Sequence, residues 1–299
     1  MTVNENQRKL IYIANATTSS LSLSGCCFIL LMFITFKDLR NSGFKLILIL
    51  GIFDILNCIS FMIPTYHTSN GNLDCQFQAI LLNFSSFCGV LWTTIIALCL
   101  KKAIVESQSS IKGLINKSLI ITILLGLICT IIPWVLDGYG TTAGWCWIKL
   151  SKSTNKWLVL RICLFFIPLI LSITVNFYFY AKVKKTLYFM KVSDEQKEIN
   201  MKLCKKLNLY PFILVLCYLP YAIKQGLELT SLNQEKYEFQ FTMAVGILRG
   251  CHGLLNCLIY GFTGKVREKI RHILENFRIL KKQQKLLENT RKNSSPTIQ

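Results

Sequence analysis

Long stretches almost free of charge are the feature that most restricts how this chain folds. A helix rises about 1.5 Å per residue, so roughly 20 apolar residues cross a hydrocarbon core about 30 Å thick. Backbone N–H and C=O groups have no water to bond in lipid, so apolar stretches of that length are predicted to be helices. Seven segments of the sequence fit this description: residues 10–36, 44–66, 76–100, 118–136, 157–181, 207–229 and 239–264. The predicted fold class is all-α, a bundle of seven transmembrane helices.

Composition excludes a water-soluble domain. Hydrophobic residues make up 52% of the chain, charged residues only 16%, and the mean hydropathy is +0.44. Soluble domains carry about 25% charged residues. The prediction is one membrane domain over residues 10–264, preceded by a short outer N-terminus, residues 1–9. The first apolar segment lacks the basic start and cleavage site of a signal peptide, so we expect it to act as a signal anchor.

Positive charge indicates which way the bundle sits. The net charge is +19, and 25 of the 34 Lys and Arg residues lie in 37–45, 101–117, 182–206 and the stretch after residue 264. All four stretches share one side if the N-terminus is outside. Lys and Arg are retained on the cytoplasmic side during insertion. We therefore predict an outer N-terminus and a cytoplasmic C-terminus, with anionic inner-leaflet lipid rather than nucleic acid as the partner of the basic loops.

The segment after the seventh helix is amphipathic. Its apolar residues fall on one helical face opposite a basic face: Val266, Ile270, Ile273, Leu274 and Phe277. This pattern is typical of a helix lying along a membrane surface. We predict such a helix over residues 265–281, followed by a polar cytoplasmic tail over residues 282–299, disordered from about Asn289.

Two of the 13 cysteines stand apart from the rest. Eleven lie within the predicted helices or at their inner ends, where cysteine is commonly a small buried hydrophobe. Cys75 precedes the third helix, and Cys146 lies in the fourth connection, residues 137–156, both on the oxidising side. They form the only outer pair, so we predict a disulfide that fastens this connection over the mouth of the bundle. No spacing of Cys and His indicates a metal site.

Several motifs carry a resemblance to a known family. They are Gly144-Trp145-Cys146-Trp147-Ile148, Phe36-Lys37-Asp38-Leu39-Arg40 with Phe44-Lys45-Leu46 and Asp54, Leu91-Trp92-Thr93-Thr94, and Leu254-Leu255-Asn256-Cys257-Leu258-Ile259-Tyr260. In this order and spacing, from about Ile13 to Arg271, the chain resembles the cyclic AMP receptor-like class of G-protein-coupled receptors. Leu98-Cys99-Leu100-Lys101-Lys102, at the end of the third helix, lacks the Asp/Glu-Arg-Tyr motif of rhodopsin-like receptors.

The resemblance implies a plasma-membrane receptor, not an enzyme, with no cofactor. Such a protein binds an extracellular small molecule and signals to a cytoplasmic G protein or an arrestin-like partner. A transporter is an alternative, although no internal repeat of the kind common in transporters is visible. A receptor fold without G-protein coupling is another. A retinal protein needs a lysine midway along the seventh helix, where this sequence has Arg249.

Polar residues inside the predicted helices are candidate functional residues, because a buried charge is costly in lipid. Asp54 and Asn256 resemble the inner polar network of receptors with this architecture, which in some holds sodium. We assign Tyr260, Tyr218 and Pro220 to the same switch region. Pro220 and Pro211 should bend the sixth helix so that its inner end can swing, although a kink that never switches is the alternative.

Three cations are candidate ligand contacts near the outer cavity, and they favour an anionic or strongly polar ligand. Arg161 either snorkels to the headgroups or faces the cavity, as the resemblance to slime-mould receptors implies. Arg249 lies deeper, so a carboxylate or a ligand anion is expected beside it. Lys224 lies at the outer helix end. Trp145 and Trp147 complete the predicted ligand site, whereas His252, alone on an apolar helix, is expected to be a hydrogen-bonded core residue.

Overall fold

The computed structural model describes most of the chain. The described residues are 3–67, 72–108, 110–142, 144–149, 156–189, 209, 212–227, 235–261 and 264–293. Pro211 and residues 190–206 of the basic stretch 182–206 lie outside these ranges, as does the side chain of Tyr260.

Eight helical elements organise the described chain. They are α1 (Glu5–Thr35), α2 (Ser42–Met62), α3 (Leu73–Ile104), α4 (Lys112–Val135), α5 (Lys156–Phe189, with a π-helical turn at Ile162–Phe166), α6 (Phe212–Leu227), α7 (Glu235–Gly250, continued by His252–Asn256 and a π-helical turn at Cys257–Gly261) and α8 (Gly264–Asn293). A short 3-10 turn, Lys37–Leu39, joins α1 to α2.

The helices form a membrane bundle. Within the described residues, six helices are long and apolar enough to cross a membrane, α1 to α5 and α7, and α6 is a shorter apolar helix. At about 1.5 Å per residue the described part of α6 is roughly 24 Å long, less than a hydrocarbon core. The outward faces of α4 and α5 expose large aliphatic side chains such as Ile120, Leu124, Ile170 and Leu171. Such faces suit lipid rather than water.

The first helix begins earlier than predicted. Residues 1–9 were expected to precede it, but α1 begins at Glu5. Asn4 and Gln7 form a capping box: the Asn4 side chain accepts from the Gln7 amide at 2.8 Å, and the Gln7 side chain accepts from the Asn4 amide at 3.1 Å. This reciprocal pair satisfies two backbone donors that a helix start leaves open.

The third helix occupies the middle of the bundle. It contacts α2, α4 and α5, while α1 packs on α2 and α7. Trp92 of α3 is fully buried and donates its indole N–H to the Leu46 carbonyl at 2.9 Å, which ties α3 to α2. Asn176 of α5 donates to the Thr94 hydroxyl at 3.0 Å. These bonds fix the helices that carry the site described below.

The fourth connection is partly a β-hairpin, although a loop was predicted. Strands β1 (Tyr139–Thr141) and β2 (Cys146–Ile148) pair antiparallel, with Gly140 opposite Trp147. The Tyr139 hydroxyl donates to the Thr130 carbonyl at 3.0 Å. Burial raises the pKa of Tyr139, so its phenol stays protonated and remains a donor. The described fold is therefore all-α, as predicted, except for one small β-hairpin that caps one end of the bundle.

Glycines let α7 approach α1 closely. A Cβ at Gly246 would lie 2.1 Å from Asn15 Oδ1, and a Cβ at Gly250 would lie 2.2 Å from Thr18 Oγ1. The Ser22 hydroxyl donates to the Gly250 carbonyl and accepts from the Leu254 amide. Side chains larger than hydrogen would separate the two helices at this point.

We therefore expect Gly250→Ala to destabilise the protein by about 1–3 kcal/mol, the usual range for overpacking. Gly51→Ala is the matched control, because no atom lies within 4 Å of a Cβ built there. Alanine is the better helix former, so this control should be neutral or slightly stabilising. Thermal unfolding of the purified variants measures the difference. Equal melting temperatures for the two would contradict the close α1–α7 contact.

The last helix starts as predicted but runs further. Val266 is fully buried, and Lys269 Nζ lies 2.9 Å from Asp38 Oδ2 on the α1–α2 connection. The hydrogen bond from Lys269 to this carboxylate raises the pKa of the lysine. The helix continues beyond Lys281 to Asn293, so part of the predicted polar tail is helical.

Candidate functional site

The hairpin is fastened to α3. Cys75 and Cys146 form the predicted disulfide, with their Cα atoms 5.3 Å apart. The Cys146 amide also donates to Gln78 Oε1 at 2.7 Å, and Gln78 in turn donates to the Ser60 carbonyl at 3.0 Å. The sequence predicted the disulfide but not the hydrogen bond between Gln78 and the hairpin. The β2 strand is thereby tied to α3 and, through the Gln78 side chain, to α2.

Arg161 fastens the hairpin from the other side. Its side chain is fully buried, and Nε donates to the Ile148 carbonyl at 2.9 Å. Nη1 donates to Gln225 Oε1 of α6, and Nη2 donates to the Ile148 carbonyl as well. The guanidinium carbon lies 5.0 Å from the centre of the Trp147 ring. Arg161 thus joins α5, the hairpin and α6, and its guanidinium is buried among protein atoms.

The two tryptophans of the hairpin point into the bundle but differ in their bonding. Trp147 donates its indole N–H to Asn83 Oδ1 at 3.0 Å and packs on Phe165, with ring centres 5.3 Å apart. Trp145 lies 5.9 Å from Phe61 and 5.8 Å from Tyr221 between ring centres. Its buried Nε1 has no acceptor among the described residues.

Lys224 is also buried at this end of the bundle. Only 3% of the residue is exposed, and its ammonium lies 5.3 Å from the Trp145 ring centre. A small cavity of about 20 Å³ lies between Trp147 of the hairpin and the helices α3, α5 and α6. This is room for roughly one water molecule. Its wall consists mainly of Asn83, Ser86, Val90, Trp147, Pro168 and Tyr221.

Arg249 lies deeper, in the middle of α7. Its guanidinium carbon is 4.1 Å from the Tyr218 ring centre and 5.2 Å from that of Tyr221. Nη2 donates to the Ser86 hydroxyl at 2.7 Å. Nε and Nη1 are buried and have no acceptor within the part of the chain that the structure describes. Unmet donors on a buried cation are costly, and Arg249 retains two donors that could form further hydrogen bonds.

A second polar group lies further along α7. Asp54 Oδ1 is 2.8 Å from His252 Nδ1, and Asp54 Oδ2 accepts from Asn256 Nδ2 at 2.8 Å. The structure thus brings the predicted pair Asp54 and Asn256 together. His252 is a buried, hydrogen-bonded core residue as predicted, and its partner is Asp54. The spacing of four between His252 and Asn256 on one helix face was the available signal.

Tyr218 links the two polar groups. Its ring stands edge-on to His252, with centres 5.3 Å apart, while Arg249 stacks over the same ring. Pro220 lies on the same helix, α6, and is partly exposed. A continuous contact path therefore runs from Arg249 through Tyr218 and His252 to Asp54. The side chain of Tyr260, which was predicted to belong to this group, lies outside the described part of the structure.

Fold and site together define a multi-pass helical membrane protein with charged and polar side chains buried among its helices. A family model described as the slime mold cyclic AMP receptor matches residues 1–299. The chain belongs to this receptor family.

Individual relatives agree with this assignment. "G-protein coupled receptor 1" of Arabidopsis thaliana is 26% identical over 279 residues, covering 90% of this chain and 83% of the relative. "Cyclic AMP receptor-like protein A" of Dictyostelium discoideum is 24% identical over 274 residues, covering 91% and 68%. "G-protein coupled receptor 157" of Homo sapiens is 28% identical over 132 residues, covering 41% and 39%.

Proposed function

We propose that this protein is a seven-span cell-surface receptor that binds a small anionic or polar ligand at the hairpin end of the bundle. In this proposal α6 is the additional span, the N-terminus is outside, and α8 lies on the inner leaflet of the plasma membrane. The distribution of Lys and Arg along the sequence supports this orientation. The basic and apolar faces of α8 support its place on anionic lipid.

Arg249 is the observation that carries the ligand proposal. It is the arginine whose Nε and Nη1 are buried without an acceptor among the described residues. A carboxylate or phosphate oxygen from the ligand would meet both donors with charge-assisted hydrogen bonds, the strongest kind available to a guanidinium. We assign Trp145, Trp147 and Lys224 to the wall of the same site. Arg161 is a positioning residue, because it bonds the hairpin and α6.

The signal would leave the site through Tyr218. Arg249 and His252 both contact this ring, and His252 is bonded to Asp54. A ligand that moves Arg249 changes how α6 and α7 pack, and Pro220 gives α6 a weak point at which to bend. An inner partner such as a G protein or an arrestin-like protein then binds one conformer better than the other.

Recruitment of a G-protein or arrestin-like reporter in cells tests this function. Cyclic AMP is the first compound to apply, followed by other small anions, to wild type and to Arg249→Ala. We expect one compound to recruit the reporter to wild type and to fail with the variant at the same concentration. Uptake of a labelled solute with no recruitment by any compound would support a transporter instead and overturn the proposal.

A further inference from the structure

The two hairpin tryptophans are equally buried but not equally bonded. Trp147 has its acceptor in Asn83, while the Trp145 indole N–H has none among the described residues. A buried donor without an acceptor forfeits a hydrogen bond that water would supply. Burying the Trp145 indole ring therefore costs more free energy than burying that of Trp147.

The backbone of Trp145 is held although its ring is not hydrogen-bonded. The Trp145 carbonyl accepts from the Thr142 amide at 2.9 Å and from the Thr142 hydroxyl at 2.6 Å. The next residue, Cys146, is disulfide-bonded to α3. Rotation about the side-chain torsions is thus enough to move the ring, and the hairpin itself can stay in place.

The Trp145 ring lies in a slot between the aromatic rings of Phe61 and Tyr221, and this slot adjoins Arg249. Phe61 meets the Trp145 ring edge-on, and Lys224 lies beside it. Tyr221 contacts Trp145 with ring centres 5.8 Å apart and also contacts Arg249, whose guanidinium carbon is 5.2 Å from its centre. A flat ring in the slot would therefore contact Tyr221, which itself contacts Arg249.

We propose that Trp145 is a displaceable plug of this slot. A ligand that carries a flat aromatic ring and an acidic group displaces the indole, places its own ring in the slot and gives its acidic oxygen to Arg249. This inference rests on the proposed function, because it names a displaceable side chain and the shape of the ligand for the same site. The slot and its link to Arg249 are testable without any signalling.

Two probes, indole and indole-3-acetate, test the slot on the purified full-length chain. Trp145→Ala should bind both, because the indole ring fills the space that the substitution opens. Indole-3-acetate should bind at least about tenfold more tightly, the size expected when a carboxylate meets a buried guanidinium. This advantage should vanish when Arg249→Gln is added. Wild type should bind indole-3-acetate more weakly than Trp145→Ala, since its own ring occupies the slot.

Trp92→Ala is the matched control. Trp92 is also fully buried, but it lies in a separate cluster with Leu46, Phe53 and Cys88. Its cavity should accept indole without any advantage for indole-3-acetate. Equal affinities for the two probes in Trp145→Ala, or the same advantage in Trp92→Ala, would overturn the proposal.

A measurement on the wild-type chain guards against a variant that does not fold. With ¹⁵N-labelled tryptophan, the Trp145 indole N–H should exchange with water faster than those of Trp92 and Trp147, whose acceptors are Leu46 and Asn83. Equal protection of Trp145 and Trp147 would contradict a displaceable plug. A carboxylate advantage without any partner recruitment would leave the slot standing and refute the receptor function. Recruitment without the advantage would refute the slot alone.

Discussion

Cys146→Ser is expected to lower the free energy of unfolding by about 4 kcal/mol. The Cys75–Cys146 bond closes a loop with a sequence separation of 71. The chain-entropy account gives about 3 kcal/mol for a 15-residue loop and about 4.7 kcal/mol for a 100-residue loop. The loss should appear as a lower melting temperature and reduced cell-surface expression, because the hairpin is no longer fastened to α3.

Cys163→Ser is the control for the disulfide. Cys163 is a free, exposed cysteine on α5, so its replacement should leave the melting temperature unchanged. The double variant Cys75→Ser/Cys146→Ser should be no less stable than the single one, since the bond is already absent. Mass spectrometry that finds free thiols at both positions in wild type would refute the bond itself.

Arg161→Ala should cost about 2–6 kcal/mol, because a buried acceptor left without its donor costs about 1–3 kcal/mol and two acceptors lose theirs. The substitution leaves the Ile148 carbonyl and the Gln225 amide oxygen without their buried donor. It also removes the cation beside the Trp147 ring. Thermal unfolding and the yield of folded protein measure the loss.

Two comparisons isolate the role of the guanidinium. Arg161→Lys keeps the charge but lacks the planar fork that reaches the hairpin and α6 together, so it should be intermediate. Lys182→Ala, on the exposed side of the same helix, should be neutral. If Arg161→Ala were as stable as Lys182→Ala, Arg161 would not hold the hairpin.

The membrane architecture was predictable from the sequence because it depends on segment length and the absence of charge. The disulfide was predictable for a similar reason, since Cys75 and Cys146 were the only pair left on one side of the membrane. The hairpin was not, because strands of three residues are too short to show a periodicity of two. The earlier start of α1 was readable in the capping pair Asn4 and Gln7.

The residues predicted as ligand contacts lie near one another in the structure, but their hydrogen-bond partners were not predicted. Arg161, Arg249, Lys224, Trp145 and Trp147 all lie at or below the hairpin, yet nothing in the sequence says which donors are already bonded. That distinction depends on partners distant along the chain, such as Gln225 for Arg161 and Ser86 for Arg249. His252 was predicted as a hydrogen-bonded core residue, but nothing in the sequence named Asp54, on another helix, as its partner.

The concentration dependence of partner recruitment tests the central claim most directly, using the compound that elicits recruitment in the cell assay. If Arg249 binds the ligand, Arg249→Gln should raise the half-maximal concentration by about tenfold or more. Asp54→Asn, at the far end of the path, should mainly lower the maximal response, because it changes the equilibrium between conformers. An unchanged half-maximal concentration in Arg249→Gln, with a normal amount of receptor at the surface, would contradict the claim.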